Sequence, residues 1–220
     1  MDGIPSLIEP LPGPTLAPHW QPPGARPFEG LAVEDLVTAG VLLDVTRVLG
    51  GLLGLARPAL GFRTEAVTRL VRQMAEALDL KRPWEFEVAA RLSQIGWLTV
   101  PTETHTRAMR GDSLPEDEWR AVASHPLIAR DLLAEVRRLD GVREMIARQL
   151  EPCAVDGERP VPFDRRDRAT QGGHLLHVCV DYVTLRERGV APLAALDQMA
   201  SQPLEYDPAL VARLRTIGGV

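Results

Sequence analysis

Several ingredients are scarce in this chain, and each scarcity removes a class of protein. Lys81 is the only lysine among 25 basic residues. The arginines are scattered rather than gathered on one face, and the net charge is −5 with a pI near 5.6, so nonspecific nucleic-acid binding is not expected. Cysteine is nearly absent: Cys153 and Cys179 form no CxxC pair, which excludes a disulfide scaffold and a thiolate zinc site and fits a reducing, cytoplasmic setting. Aromatic residues make up only 5%. The longest uninterrupted apolar stretch, Val48 to Ala56, is far short of the roughly 20 residues a membrane span needs. Met1 to Pro5 has no basic start leading into an apolar run, so neither a membrane anchor nor a signal peptide is expected. No segment sustains a period-two alternation, and no Gly-rich phosphate loop, GxSxG elbow or HExxH pair occurs.

What remains is an ordinary globular balance, 45% apolar and 25% charged. Eight of the 19 prolines fall in residues 1–30, a density that breaks both helices and interior strands. This predicts an extended arm, read either as a tail on the domain or as a docking arm through Leu7, Ile8, Trp20 and Phe28. From 31 to 220 the pattern is helical, which predicts one all-α domain of about eight to nine helices. Leu36, Val37, Val41, Leu42, Val45, Val48 and Leu52 set a core-facing stripe on a helix over 34–56, which Gly50-Gly51 should end or bend. Helices follow over 64–80 and 84–95, then a loop over 98–114. Ser113 and Glu116 have capping-box spacing before a short helix to about 123, and Pro126 opens the next. A helix from Gly141 to about 150 precedes a polar loop over 151–169. The run from about 171, apolar nearly all round, predicts a central buried helix. Short helices over 192–201 and 207–216 finish the chain, the last with Asp207 as N-cap and Pro208 at its first position.

Four stretches, in order, carry a family resemblance. Ala89 to Pro101 lies along "AALLHDIGKIGIP". Leu114 to Leu133, with His125-Pro126, lies along "LTPEEW…HPEIGAEIL". Gly172 to Tyr182 lies along "GARILAVADAYDAL", and Tyr206 to Val211 along "FDPELV". The chain thereby resembles the HD-GYP branch of the HD phosphohydrolases over about residues 40–216. The resemblance implies a helical bundle holding two or three iron or manganese ions, whose bound hydroxide attacks the phosphodiester of cyclic di-GMP.

Transferred position by position, that ligand set is nearly gone. The first histidine falls on Arg63, the "HD" pair on Ser93 and Gln94, the next histidine pair on Gln149 and Leu150, and the late aspartate on Val180. His125 alone survives. Asp156 to Pro160 retains only part of the "DGSGYP" loop. A fixed cation, three neutral polar groups and two aliphatic side chains cannot hold a cation cluster, so no cofactor is expected. Asp181 would become a ligand if the register slipped by one, and His174 and His177 share one helix face.

The sequence thus suggests a catalytically inactive HD-GYP-like domain in bacterial signalling. It would bind protein partners, for instance a diguanylate cyclase or another signalling domain, or pair as a homodimer. The alternatives are a metal-dependent cyclic di-GMP phosphodiesterase built on His125, Asp181 and Glu151 or Asp156, and a non-hydrolysing cyclic-dinucleotide sensor using Arg63, Arg159, Arg165, Arg166 and Arg168.

Overall fold

The computed structural model describes residues 33–136, 138–154 and 161–218. The proline-rich arm, Asp156 to Pro160 and Arg159 within it lie outside the described residues, as does the side chain of Leu36. Nine α-helices and no strand occur among the described residues: α1 (Val33–Ala56), α2 (Pro58–Ala77), α3 (Pro83–Ser93), α4 (Thr102–Arg110), α5 (Glu116–Leu132), α6 (Asp140–Ala147), α7 (Arg168–Glu187), α8 (Pro192–Ala200) and α9 (Pro208–Ile217). Short 3-10 turns cover Ile95–Thr99 and Phe163–Arg165.

α7 is the axis of the bundle. Its Leu175, Leu176, Val178 and Cys179 are all within 1% of full burial, and α2, α3, α6, α8 and α9 pack around it. A helix apolar on every side has to lie inside, as the sequence predicts. Leu60, Trp97, Val100 and Val122 form a second, smaller cluster with Leu53 at the end where α1 turns into α2. Asp207 caps α9 as expected: its Oδ1 accepts from the backbone N–H groups of Ala209 (2.7 Å) and Leu210 (3.3 Å).

Several boundaries differ from the sequence reading. α2 starts at Pro58 rather than near 64, because proline suits the first helical position, where no donor is needed. The segment read as a loop over 98–114 contains α4, closed by Gly111 in the left-handed conformation (φ 80°). α5 runs unbroken through Pro126 instead of splitting there. Its N-cap is Pro115, and no side-chain cap forms, so the Ser113–Glu116 capping box is absent.

The largest correction concerns α1. Gly50-Gly51 does not interrupt it, and most of the stripe assigned to the core faces outward: Val37, Val41, Val45, Val48 and Leu52 are 50–64% exposed, while Leu42 packs against the core. Ala39, Thr46 and Leu53 on the opposite side are buried. α1 is apolar on both faces, so periodicity alone selected the wrong one. The stretch Val37–Ala56 is also long and apolar enough to cross a bilayer, with mean hydropathy 1.6. Its two interrupting charges, Asp44 and Arg47, pair with each other (2.8 Å).

The 3-10 turn sits hard against α5. A Cβ on Gly96 would fall 1.9 Å from the carbonyl oxygen of His125, a backbone atom that cannot move aside. Gly96→Ala should therefore cost about 3 kcal/mol. Gly141→Ala, where a Cβ meets open space, should change stability by under about 1 kcal/mol. Urea denaturation of the two variants checks this; equal midpoints would contradict the packing.

Candidate functional site

Three of the residues singled out by sequence, Arg63, Ser93 and Gln94, are joined where α2, the end of α3 and α7 meet. Arg63 projects from α2 and is 3% exposed. Its Nε donates to Gln94 Oε1 (3.1 Å), its Nη2 to Thr184 Oγ1 (2.6 Å) and its Nη1 to Glu187 Oε2 (2.5 Å). Gln94 Nε2 in turn donates to Ser93 Oγ (2.9 Å), whose hydroxyl donates to the carbonyl of Ala90 (3.0 Å). The guanidinium is thus held by three side chains, Gln94 at the end of α3 and Thr184 and Glu187 on α7. Burial works against its charge, and Glu187 opposes that effect.

His125 is placed by the proline that follows it. Pro126 has no N–H to donate to the carbonyl of Val122 four residues back. His125 Nδ1 lies 2.7 Å from that oxygen and supplies the missing donor. The proton is therefore on Nδ1, and Nε2 carries the lone pair. That Nε2 is buried without a hydrogen-bond partner, and the ring stacks on Trp97 at 4.3 Å between centroids. Burial pushes His125 down to about 4, against the pull of its bond to Val122. Gln149, 1% exposed, has neither its amide nitrogen nor its oxygen paired among the described residues.

Beside this cluster lies a cavity of about 620 Å³, lined by Arg63, Trp97, His125, Val180, Asp181 and Arg188 among others. Leu150 lines it and is 44% exposed. Asp181 accepts from Tyr206 Oη (2.8 Å) and lies 3.3 Å from His177 Nε2. Burial raises its carboxyl, but His177, Tyr206 and Arg63 outweigh this and hold it low. Burial likewise lowers His177, but Asp181, the Glu151 carbonyl and Glu205 prevail and raise it. Glu151 itself contributes only that backbone carbonyl, 3.0 Å from His177 Nδ1.

Among the described residues, the arginines proposed as an anion site do not assemble. Arg166 is buried against Asp207 (2.6 Å) and His174 Nδ1 (2.6 Å). Arg168 pairs with Glu85 (2.5 Å) and donates to the carbonyls of Lys81 and Arg82. Both line a different cavity from the one beside Arg63. Arg165 is exposed in the 3-10 turn. These guanidinium groups brace the loop before α7 onto α3 and α9, and the nearby carboxylates are their partners. His174 and His177 also diverge, one to Arg166 and the other to Asp181.

A family profile described as HD domain matches residues 47–210, from within α1 to within α9. The chain belongs to the HD domain family. That places it in a phosphohydrolase superfamily. No curated protein matches it.

The resemblance to the HD-GYP branch implies bound metal, so the donors of this HD domain have to be weighed. No group of three or more His, Cys, Asp or Glu that could hold an ion exists among the described residues. The donor that Gln94 would offer is taken by a permanently charged guanidinium, which repels cations. Asp181 is occupied by Tyr206 and His177. These residues do not fit a metal centre.

Sequence reasoning missed Thr184, Glu187, His105 and Tyr206. Thr184 stands one turn beyond Val180, so an i,i+4 search from the lost aspartate finds it. His105 was hidden in the segment read as a loop. It stacks edge-on to Trp97 at 4.8 Å, and burial together with Arg63 and Arg57 lowers it to about 4.

Two outcomes follow. Arg63→Met leaves Gln94 and Thr184 without their buried donor and should cost about 2–3 kcal/mol in urea denaturation; Arg63→Lys, which lacks the planar fork, should recover less than half. A loss under about 0.5 kcal/mol would contradict the cluster. Second, His105, His125 and His174 all sit near 4 in the fold against 6.5 unfolded. Between those values the unfolded chain binds protons that the native state refuses. Each should therefore subtract on the order of 1 kcal/mol per pH unit as pH falls from 6.5 towards 4. His177, raised in the fold, acts outside that window: its stabilisation is constant below 6.5 and is lost as pH rises above it. A stability profile flat from pH 7 to 4.5 would contradict this.

Proposed function

We propose that this HD domain is a degenerate member of the HD-GYP type that binds rather than hydrolyses. The observation that supports this most is the Arg63 guanidinium, which stands where the resemblance puts a metal ligand and is bonded to Gln94, at a second such position, and to Thr184 and Glu187. Hydrolysis in this superfamily needs a metal-bound hydroxide as nucleophile. Here a fixed organic cation occupies the donors instead. It supplies charge at the centre of the bundle without an open coordination position, so it stabilises the fold and activates no water.

On this reading the domain acts through protein contacts in bacterial signalling, in the cytoplasm, with a diguanylate cyclase or another signalling domain as the type of partner the resemblance suggests. The alternative of a phosphodiesterase using His125 and Asp181 is disfavoured by the engagement of Asp181 with Tyr206. A non-hydrolysing sensor keeps one supporting observation: the 620 Å³ cavity, with Arg63 and Arg188 in its wall and the unpaired His125 Nε2. Its volume falls in the range of small-molecule sites.

The protein purified from manganese- and iron-supplemented cells should carry substoichiometric metal by mass spectrometry. It should leave bis(p-nitrophenyl) phosphate and cyclic di-GMP intact. Near-stoichiometric iron or manganese accompanied by turnover would contradict the proposal. A saturable rise in melting temperature with cyclic di-GMP, without cleavage, would select the sensor reading.

A further inference from the structure

Among the described residues, α1 carries an apolar face that the domain's own core leaves uncovered. Val41, Val45, Val48, Leu52 and Leu55 are 50–82% exposed and follow one another at steps of four, three, four and three residues. That 3.5-residue period is the seam of a helix meeting another helix. The stripe lies opposite the buried Ala39, Thr46 and Leu53, so the domain's own core does not use it. From Val37 it runs roughly 27 Å along the helix, at about 1.5 Å per residue.

We infer that this face packs against α1 of a second copy of the chain, around a two-fold axis near Val48. The inference goes beyond the binding role proposed above, since it holds whether or not the Arg63 site binds anything. An antiparallel pairing centred on Val48 sets Val41 against Leu55 and Val45 close to Leu52. Each smaller side chain then meets a larger one, which keeps the layers equal in volume. An isologous contact needs a self-complementary patch, and this stripe is one. Its neighbouring charges impose no repulsion, because Asp44 and Arg47 neutralise each other within the helix.

The area sets the strength. The exposed parts of these side chains amount to roughly 300 Å² per copy by transfer-area reasoning, well under the ~800 Å² per partner of a standard interface. The dimer is therefore reversible and concentration-dependent.

Other occupants fit less well. An extended proline-rich segment, such as residues 1–30, seats in aromatic-lined grooves, whereas this face is a convex aliphatic helix. A bilayer span would strip Ala39, Thr46 and Leu53 from α2 and α3. An interfacial helix needs a basic polar face, and the only base on α1, Arg47, is already paired.

Sedimentation velocity of the full chain, from low to high micromolar, should show a monomer–dimer equilibrium. Val48→Glu should abolish it while leaving the circular dichroism spectrum unchanged, since Val48 is exposed in the single copy. Under mild oxidation, Val48→Cys should give a disulfide-linked dimer, and Leu193→Cys, exposed on α8, should not. A monomer at every concentration, or a dimer indifferent to Val48→Glu, would overturn the inference. So would flotation with phosphatidylcholine–phosphatidylglycerol vesicles that Val48→Glu abolishes, or self-association that appears only once residues 1–30 are deleted.

Discussion

A guanidinium buried between three helices must have its donors answered, and the way Arg63 is answered organises the centre of this bundle. Gln94 ends α3, while Thr184 and Glu187 lie one turn apart on α7. One cation therefore ties α2 to both. Desolvation of the charge is expensive, and Glu187, with Asp181 beyond it, offsets part of that cost. A bound metal ion would have to compete for the same acceptors. The geometry makes the two cations, organic and inorganic, mutually exclusive at this point in the fold.

The surroundings adapt to that cation. His105 and His125, on either side of Trp97, are both pushed down to about 4, and Arg63 contributes to each shift. Neutral imidazoles are what a site with a resident positive charge can tolerate. His125 owes its position to backbone chemistry instead: the proline after it orphans the Val122 carbonyl, and Nδ1 repairs the gap. The His-Pro pair therefore has a structural use that persists without metal. The same logic applies to Asp181, whose carboxylate is satisfied by Tyr206 and His177 and has become part of the packing between α7 and the segment before α9.

Much of this was legible in the residues. The helix order, the buried character of α7 and the Asp207 cap follow from apolar periodicity and capping chemistry. The motif order pointed to Arg63, Ser93, Gln94 and His125, and the first three are joined by hydrogen bonds. What the sequence hid has physical reasons. α4 has only two apolar residues, Ala108 and Met109, so Thr102 to Arg110 resembles a loop. α1 is apolar on two faces, and a one-dimensional pattern cannot say which of them its own domain covers. Arg166 and Arg168 look like phosphate forks until Asp207 and Glu85, distant in the chain, are brought against them. Thr184 and Glu187 match no ligand motif, because their task is to hold a side chain in place of an ion.

The account depends on what occupies the space among Gln94, Thr184 and Glu187. Diffraction from crystals grown in manganese, collected at a wavelength where manganese scatters anomalously, looks at that space directly. Planar guanidinium density from Arg63 contacting all three side chains, with no anomalous peak beside His125, is the predicted result. Anomalous peaks bridging His125 and Asp181, with Arg63 swung away, would contradict it.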